Sequence, residues 1–251
     1  MIKDNFEANR AVISLSGGLD STCLLLHLLA QGMEVRAYSF DYGQRHKIEL
    51  KKVKKNIKFL QEKGYKVTHE VIDLEGAFSG NTSSLVSSTG IDIPKGHYAD
   101  DNMKSTVVPL RNVIFGAIVY SKAINWAVET NSNVFITLGI HAGDHTIYPD
   151  CRPESQEACK KAFEISDWNS DKVDYIAPFV DIDKGEVLGE GIKAMKDMGF
   201  TRKEQNKVLR NTHTCYDPNE KGESCGKCGS CTERLEAFEK NGIKDPIKYQ
   251  K

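Results

Sequence analysis

The first side chains along the chain that are suited to chemistry lie in one glycine-rich turn. The turn follows the apolar run 11–15 and precedes the leucine-rich stretch 22–29, a pattern that predicts a strand and then a buried helix. Free N–H groups at a helix N-terminus attract anions, and adjacent glycines let a ligand approach the backbone closely. We therefore predict a phosphate-binding loop made of Leu15, Ser16, Gly17, Gly18, Leu19, Asp20, Ser21 and Thr22.

The alternative interpretation is an ordinary strand-to-helix turn in which Asp20 or Ser21 caps the helix. The turn is not a Walker loop, because the G-x-x-x-x-G-K-[ST] pattern is absent. It resembles the S-G-G-x-D-S loop of the N-type ATP pyrophosphatases, the PP-loop enzymes. This resemblance implies that the loop holds the pyrophosphate end of ATP and leaves the α-phosphorus open to an attacking oxygen. Asp20 would then help to hold Mg²⁺ beside the phosphates.

Four of the seven cysteines form a second group near the end of the chain, namely Cys215, Cys225, Cys228 and Cys231. Crowding of this kind in a reducing compartment favours a metal over disulfides. Four thiolates close a tetrahedral shell around one Zn²⁺, so the predicted site is structural. A four-cysteine iron–sulfur cluster is the main alternative, and unliganded or disulfide-bonded thiols are another.

A third group of polar residues follows the predicted fourth strand. It contains His141, Asp144, His145 and Asp150. Such a cluster at a strand end can bind a metal, transfer protons or hold a polar heterocycle, and the sequence leaves all three open. We take Asp144 and Asp150 as candidate catalytic residues, and the family resemblance given below implies Arg152 as a third.

Three cations stand at the same predicted edge. Arg45 and Arg111 each follow a turn, and guanidinium groups pair well with phosphate or carboxylate. Because Arg111 begins a predicted apolar helix, we take it as a catalytic candidate rather than a surface ion pair. Lys184 is a candidate contact of the triphosphate or a helix-terminal charge.

The alternation of strands and helices predicts the scaffold that positions these groups. The β-α-β-α-β rhythm predicts an α/β fold with a doubly wound, mostly parallel sheet, in which ligands bind at the carboxyl ends of the strands. The predicted strands are 11–15, 34–40, 66–74, 134–140 and 175–179. The predicted helices are 22–32, 48–64, 113–128, 153–166, 184–198, 202–209 and 231–240.

The whole chain has 251 residues, 39% of them hydrophobic, and a net charge of −1. This length accommodates a large α/β body, predicted over residues 1–200, and a smaller metal-binding helical segment over 201–251. The balanced charge argues against nucleic acid or membrane as a partner. No uninterrupted apolar run of 18 residues and no signal-peptide pattern is present, so we expect a soluble cytoplasmic protein. The polar stretch 75–104 is long for a connection and predicts a substrate-covering loop or an oligomer contact.

Six motifs occur in an order that resembles the QueC family over nearly the whole chain. They are SGGLDST, FDYGQRH, TVVPLRN, YPDCRPE, PF followed by DKGE, and a tail of CY and CGKCGSC. The chain departs from the common family pattern at Leu110, where a glycine is usual, and in the stretch 144–152.

The resemblance implies a Rossmann-like fold of the adenine nucleotide α-hydrolase type, and a carbon–nitrogen ligase that uses ATP and ammonia. Its substrate would be 7-carboxy-7-deazaguanine, which is adenylated, converted to the amide, adenylated again and released as 7-cyano-7-deazaguanine. It further implies that Phe40, Arg45 and Lys184 contact the nucleotide and that the enzyme is a homodimer.

Three other functions compete with this interpretation. A related defence enzyme would join the activated acid to a protein amine. A tRNA-thiolating PP-loop enzyme would need a basic RNA-binding face, against which the net charge of −1 argues. A non-catalytic zinc-ribbon module would leave the glycine-rich loop unexplained.

Overall fold

The computed structural model describes residues 6–97, 101–144 and 147–250. Its centre is one sheet of five parallel strands in the order β3-β2-β1-β4-β5, as the strand–helix rhythm predicted. The strands are β1 (Arg10–Ser14), β2 (Glu34–Asp41), β3 (Val67–Asp73), β4 (Val134–Leu138) and β5 (Val173–Ile176). The helices are α1 (Leu19–Ala30), α2 (Ile48–Glu62), α3 (Arg111–Thr130), α4 (Pro153–Glu164), α5 (Lys184–Asp197), α6 (Arg202–Arg210) and α7 (Gly229–Lys240).

The strand order places a crevice beside β1. Successive connections run outward from β1 to β2 and β3, and then return to the other side of β1 for β4 and β5. The direction of winding therefore reverses between β1 and β4, and in open parallel sheets this switch point is where ligands bind. The loops after β1, β2 and β4 all leave from this edge.

Helices cover both faces of the sheet because its strands are apolar on both sides. On one face, Ala11 and Ile13 of β1 pack with α1, α2, α5, α6 and α7. On the other face, Val12 of β1 and Ile136 of β4 pack with α3. The result is a three-layer sandwich, which confirms the predicted fold class.

Helix α3 is the one described helix whose length and apolar character would suffice to cross a membrane, within the segment Met103–Thr130. In the sequence, Arg111 and Lys122 interrupt its apolar run. In the fold the helix packs against β1 and β4, and its residues Val119, Ala123 and Ala127 are fully buried. This is the position of a core helix.

The polar stretch after β3 forms short 3₁₀ turns at Gly76–Phe78, Ser87–Thr89 and Asp101–Thr106. Leu85 and Val86 bury their side chains, and the carbonyl of Leu85 accepts a hydrogen bond from the Arg45 amide at 3.0 Å. No described residue of this stretch lines the cavity described below. The stretch after β3 therefore packs against the loop after β2 on the side away from the cavity.

The C-terminal segment is packed onto the body. Ala237 and Phe238 of α7 join the same core as α1 and α5. Arg234 is fully buried, and its guanidinium donates hydrogen bonds to Asp245 at 2.7 and 3.0 Å and to Thr212 at 2.8 Å. A buried, bidentate pair of this kind fixes the end of the chain against the segment before the cysteines.

Candidate active site

A cavity occupies the crevice at the carboxyl ends of β1, β2 and β4. Its wall combines the glycine-rich turn, the starts of α2, α3 and α5, the loop after β4, and the segment before the cysteines. Of the residues predicted for the site, those that line the cavity are Ser16, Gly18, Asp20, Ser21, Phe40, Arg111, Asp144 and Lys184.

The glycine-rich turn has the geometry of an anion cradle. Helix α1 begins at Leu19, and Gly18 is its N-cap with no side-chain capping bond, so the alternative of a turn capped by Asp20 or Ser21 is wrong. The first helical hydrogen bond runs from Thr22 N to Gly18 O, which leaves the preceding amides without a helical acceptor. The hydroxyls of Ser16 and Ser21 lie 2.9 Å apart at the mouth of the turn.

Two glycines allow this close packing. Gly17 has φ = +91°, and a Cβ there would lie 2.6 Å from Val53 of α2. A Cβ at Gly139, after β4, would lie 2.9 Å from the Cα of Ser21. The loop is therefore clamped between two neighbouring elements. Leu15, Gly17, Leu19 and Thr22 belong to this framework and do not line the cavity.

A buried cluster of charges lies beside the cradle. The Lys184 ammonium is 2.7 Å from Glu233 and 3.5 Å from Asp20, and His141 Nε2 is 3.8 Å from Asp20 and 3.6 Å from Asp144. Burial by itself would raise the pKa of Asp20, but Lys184 and His141 hold it below its usual value. Burial would lower the pKa of Lys184, but the surrounding carboxylates raise it well above its usual value. Both groups are therefore charged at neutral pH.

Arg111 projects from the first position of α3 into an aromatic part of the cavity. Its guanidinium lies 5.9 Å from the Tyr42 ring and 5.8 Å from the Tyr148 ring, and it donates a hydrogen bond of 3.3 Å to the Tyr42 hydroxyl. The residue is half-buried, and it forms no ion pair with a carboxylate among the described residues. Such a cation can accept an anionic ligand group.

Three predicted residues lie behind the wall. Asp150 accepts hydrogen bonds from the Asn112 amide at 3.0 Å and from its side chain at 3.2 Å, so its carboxylate caps the start of α3. Arg152 is the N-cap residue of α4. Arg45 has a buried Nε without a hydrogen-bond partner and does not line the cavity. His145 lies outside the described residues.

The cavity also contains residues that the sequence analysis did not single out. Glu49 lies in the first turn of α2, and His46 lies two residues before the start of that helix. Burial raises the pKa of Glu49 to about 8 and lowers that of His46 to about 3, so both are uncharged at neutral pH. The other wall residues outside the predicted set include Tyr42, Asn112, Phe115, Tyr148, Cys151, His213, Thr214, Tyr216 and Ser230. Several of these residues belong to the FDYGQRH and TVVPLRN motifs. Their residue types alone did not indicate that they line the same cavity.

The segment before the cysteines closes the cavity from the side of the glycine-rich turn. The His213 amide donates a hydrogen bond of 2.8 Å to the carbonyl of Gly17, and the His213 ring lies 3.0 Å from the carbonyl of Cys215. The Tyr216 hydroxyl is 3.2 Å from that of Tyr148. The cysteine segment and the glycine-rich turn are thus directly linked.

The four predicted cysteines converge, as their spacing predicted. Their sulfur atoms lie within 4.8 Å of one another, and three of the four residues are buried. The Cys225 and Cys231 sulfurs are 4.0 Å apart. Two sulfur ligands of a tetrahedral zinc site, each about 2.3 Å from the metal, are expected to lie about 3.8 Å apart. Backbone amides of Cys225 and Asp217 point at the Cys215 sulfur at 3.1 and 3.3 Å. The cluster can hold a metal ion.

Comparison with known proteins assigns the family. A family model described as "Queuosine biosynthesis protein QueC" matches residues 10–242. The 7-cyano-7-deazaguanine synthase of Caldicellulosiruptor saccharolyticus is 41% identical to this chain and covers 96% of both chains. The proteins of that name from Colwellia psychrerythraea (synthase 1) and Methanoregula boonei are also 41% identical and cover 97% and 96% of this chain, and 100% and 99% of their own.

A solved NMN synthetase from Francisella tularensis aligns with 96% of this chain and 80% of its own, at 13% identity and a TM-score of 0.42, below the level that establishes a common fold. The family model and the relatives, by contrast, extend over nearly the whole chain at substantial identity. They confirm the resemblance carried by the six motifs, and the chain belongs to the QueC family.

Proposed function

We propose that this chain converts 7-carboxy-7-deazaguanine and ammonia to 7-cyano-7-deazaguanine at the expense of ATP, which is cleaved to AMP and pyrophosphate. The observation that carries the proposal is the match to the QueC family over residues 10–242, together with relatives named 7-cyano-7-deazaguanine synthase at 41% identity. The cavity is suited to this reaction because it combines a cradle for phosphate with a half-buried cation, Arg111, for a second anion.

The reaction has two activations. A carboxylate oxygen of the acid attacks the α-phosphorus of ATP, and pyrophosphate leaves. Ammonia then attacks the acyl carbon, AMP leaves with the carboxyl oxygen, and the amide remains after loss of a proton. The amide oxygen attacks a second ATP, pyrophosphate leaves again, and departure of AMP with the remaining protons on nitrogen gives the nitrile.

The glycine-rich turn would hold the pyrophosphate through its free amides and the hydroxyls of Ser16 and Ser21. Lys184 would add positive charge, and Phe40 would lie against the adenine. Mg²⁺ bound with ATP would neutralise charge on the phosphates. Asp20 fits this ion, because its Oδ1 is buried without a hydrogen-bond partner.

Arg111 would bind the carboxylate of the deazaguanine and place it near the α-phosphorus. Asp144, 3.6 Å from His141, would accept a proton from the attacking ammonia. Asp150 and Arg152 would act indirectly, by holding α3 and the loop after β4. Arg45 would stabilise the loop after β2 and approach the nucleotide only through a rearrangement.

The cysteine cluster would hold one structural Zn²⁺, with residues 201–251 forming a metal-binding segment on a nucleotide-binding body of residues 1–200. Four sulfur ligands leave no open position for substrate, which favours a structural over a catalytic ion. A colourless protein with one zinc per chain supports this assignment, and charge-transfer absorption in the visible range would replace it with an iron–sulfur cluster. The proposed enzyme is a cytoplasmic homodimer, and its mass in solution tests the second part.

The decisive experiment is a mass-resolved assay of the purified protein with 7-carboxy-7-deazaguanine, MgATP and ammonium. We expect the nitrile, with two AMP and two pyrophosphate for each molecule formed. Arg111→Met is expected to lose the first activation while retaining ATP binding. The matched control is Arg202→Met, an exposed arginine on α6 far from the cavity.

Two results would contradict the proposal. Accumulation of an adenylate or amide without nitrile would favour an enzyme that transfers the activated acid to a protein amine. No ATP consumption with this acid, by protein with a full complement of metal, would remove the function altogether.

A further inference from the structure

Glu49 is an acidic residue turned inward. Acidic residues in the first turn of a helix usually remain in water, where they interact with the helix dipole. Glu49 is 6% exposed and its side chain lines the cavity between the glycine-rich turn and Arg111. A carboxyl group in such a place costs stability unless a ligand or partner compensates it.

One oxygen of this carboxyl group is held in place and the other has no partner. Gln44 donates a hydrogen bond of 3.2 Å to Glu49 Oε1 and another of 2.9 Å to the carbonyl of Phe40, while its own oxygen accepts from the Tyr42 amide. Both ends of Gln44 are thereby fixed, so it orients Glu49 rigidly. Glu49 Oε2 has no hydrogen-bond partner in the described parts of the chain.

The neighbouring imidazole is unsatisfied as well. His46 is 5% exposed, its Nε2 lies 3.6 Å from Glu49 Oε1, and its Nδ1 is buried without a hydrogen-bond partner. Buried polar atoms in native proteins nearly always have partners, and exceptions at a cavity indicate a missing ligand. Both residues line the cavity, and each keeps hydrogen-bonding capacity that no described residue uses.

The charges around Glu49 come from several elements. Arg111 on α3 favours its ionised form, Asp41 at the end of β2 opposes it, and His46 stays neutral because its pKa is about 3. Desolvation outweighs these effects and raises the pKa of Glu49 to about 8. The free protein thus holds a carboxylic acid that a ligand with N–H donors would convert to a carboxylate.

The substrate of the proposed reaction offers such donors. A guanine-like ring has a ring N–H and an amino N–H side by side, and a carboxylate accepts both in parallel. Adenine offers only one amino group there, beside a ring acceptor. The aromatic rings of Tyr42, Phe115 and Tyr148 provide flat surfaces against which the ligand ring can stack. Arg111 is available for the carboxylate at the other end of the bicyclic ring system.

We propose that Glu49, oriented by Gln44 and adjacent to His46, recognises the N–H donor edge of the deazaguanine ring and is the residue that determines specificity for it. This inference rests on the proposed function, and it names a substrate-contacting group that the reaction scheme itself does not require. Ring binding would ionise Glu49 and release its proton to solvent.

Proton release provides the test. Calorimetric titration of 7-carboxy-7-deazaguanine into the protein with α,β-methylene-ATP, in buffers of different ionisation enthalpy, measures the protons released. We expect close to one proton per site at pH 7 and few at pH 9. The affinity is expected to rise with pH, approaching tenfold per pH unit below pH 8.

Glu49→Gln keeps the shape of the side chain and removes the titration. We expect it to abolish proton release and to weaken binding by roughly tenfold to a hundredfold at pH 8. Removal of the 2-amino group from the ligand should weaken its binding to this variant much less than it weakens its binding to the wild type. Glu62→Gln, an exposed position on the same helix, is the matched control and should behave as wild type.

The possible failures are distinct. Tight binding without proton release, or equal sensitivity of wild type and Glu49→Gln to loss of the 2-amino group, overturns the inference and leaves the proposed function intact. Proton release on binding of the ATP analogue alone also overturns it, because Glu49 would then serve the nucleotide. Absence of any binding of the acid to the wild type contradicts the proposed function together with the inference.

Discussion

The carboxylate of Asp150 holds the amide and the side chain of Asn112, with hydrogen bonds of 3.0 and 3.2 Å. Asp150 thus reaches across from the loop after β4 to cap the start of α3, the helix that carries Arg111 at its first position. The direction in which Arg111 enters the cavity depends on this cap. Asp150, which was predicted to act on the substrate, is therefore better placed to position Arg111 by capping α3.

Asp150→Asn is expected to weaken the cap and to disturb the position of Arg111. We expect a loss of about 1 kcal/mol in the free energy of unfolding, and a fall in kcat with an unchanged KM for ATP. Steady-state kinetics and chemical denaturation measure both. Asp171→Asn, at an exposed position, is the control. A raised KM for ATP with an unchanged kcat would contradict the positioning role.

Removal of the metal from the cysteine cluster should weaken nucleotide binding. The cluster shapes the segment that supplies the His213 amide to Gly17 and the Tyr216 ring to the cavity wall. We expect the metal-free protein to bind an ATP analogue at least about tenfold more weakly, a loss of about 1.4 kcal/mol or more, and to recover when Zn²⁺ is restored. Fluorescence titration alongside metal analysis measures this effect.

Cys159→Ser is the control for metal removal, because Cys159 is half-buried on α4 and lies outside the cluster. This variant should keep its metal and its nucleotide affinity. Equal affinity of folded, metal-free and metal-bound protein would show that the cluster and the phosphate-binding turn are independent.

Leu110 adopts a left-handed conformation with φ = 55° directly before Arg111, and its side chain is 63% exposed. Leu110→Gly should therefore relieve backbone strain while losing little buried surface. We expect a gain of about 1 kcal/mol, which raises Tm by roughly 2–4 °C for a chain of this size. Asn131→Gly, at φ = 47° on the other end of α3, should gain less, because asparagine tolerates this conformation better. Equal gains at both positions would contradict the explanation.

Glu49 should make the stability of the free protein depend on pH. Its pKa of about 8 in the folded state lies above the usual 4.5, so the folded protein holds the proton more tightly. Stability is then greatest below pH 4.5 as far as this group is concerned, and declines as the pH rises to 8. Glu49→Gln should lack this decline and exceed the wild type above pH 8 by an amount on the order of a few kcal/mol.

Thermal unfolding of both proteins between pH 5 and 9 tests this dependence. The difference in Tm between variant and wild type should widen up to about pH 8 and then level off. A constant difference would mean that Glu49 is already ionised in the free protein. The titration of His46 acts in the opposite direction at lower pH and cancels in the comparison.

The conformation of the glycine-rich turn was predictable because it is local: the glycines, the serines and the start of α1 are contiguous in the chain. The cysteine cluster was predictable for the same reason. Glu49 was not, because in sequence it resembles a solvated acid of the first turn of an amphipathic helix. Its burial results from the packing of α2 against Gly17, which follows only from the order of the strands. His213 was missed because its contact with the turn depends on the return of the chain after α6.

The link between His213 and Gly17 bears on how the protein is made. The ribosome delivers the glycine-rich turn early and the segment that completes its wall much later. A nascent chain that has folded its sheet would therefore present an incomplete cavity, whose wall closes only after the cysteine segment has emerged and packed against the glycine-rich turn. Under the proposed function, synthesis in this order would tie the onset of ATP consumption to completion of the fold.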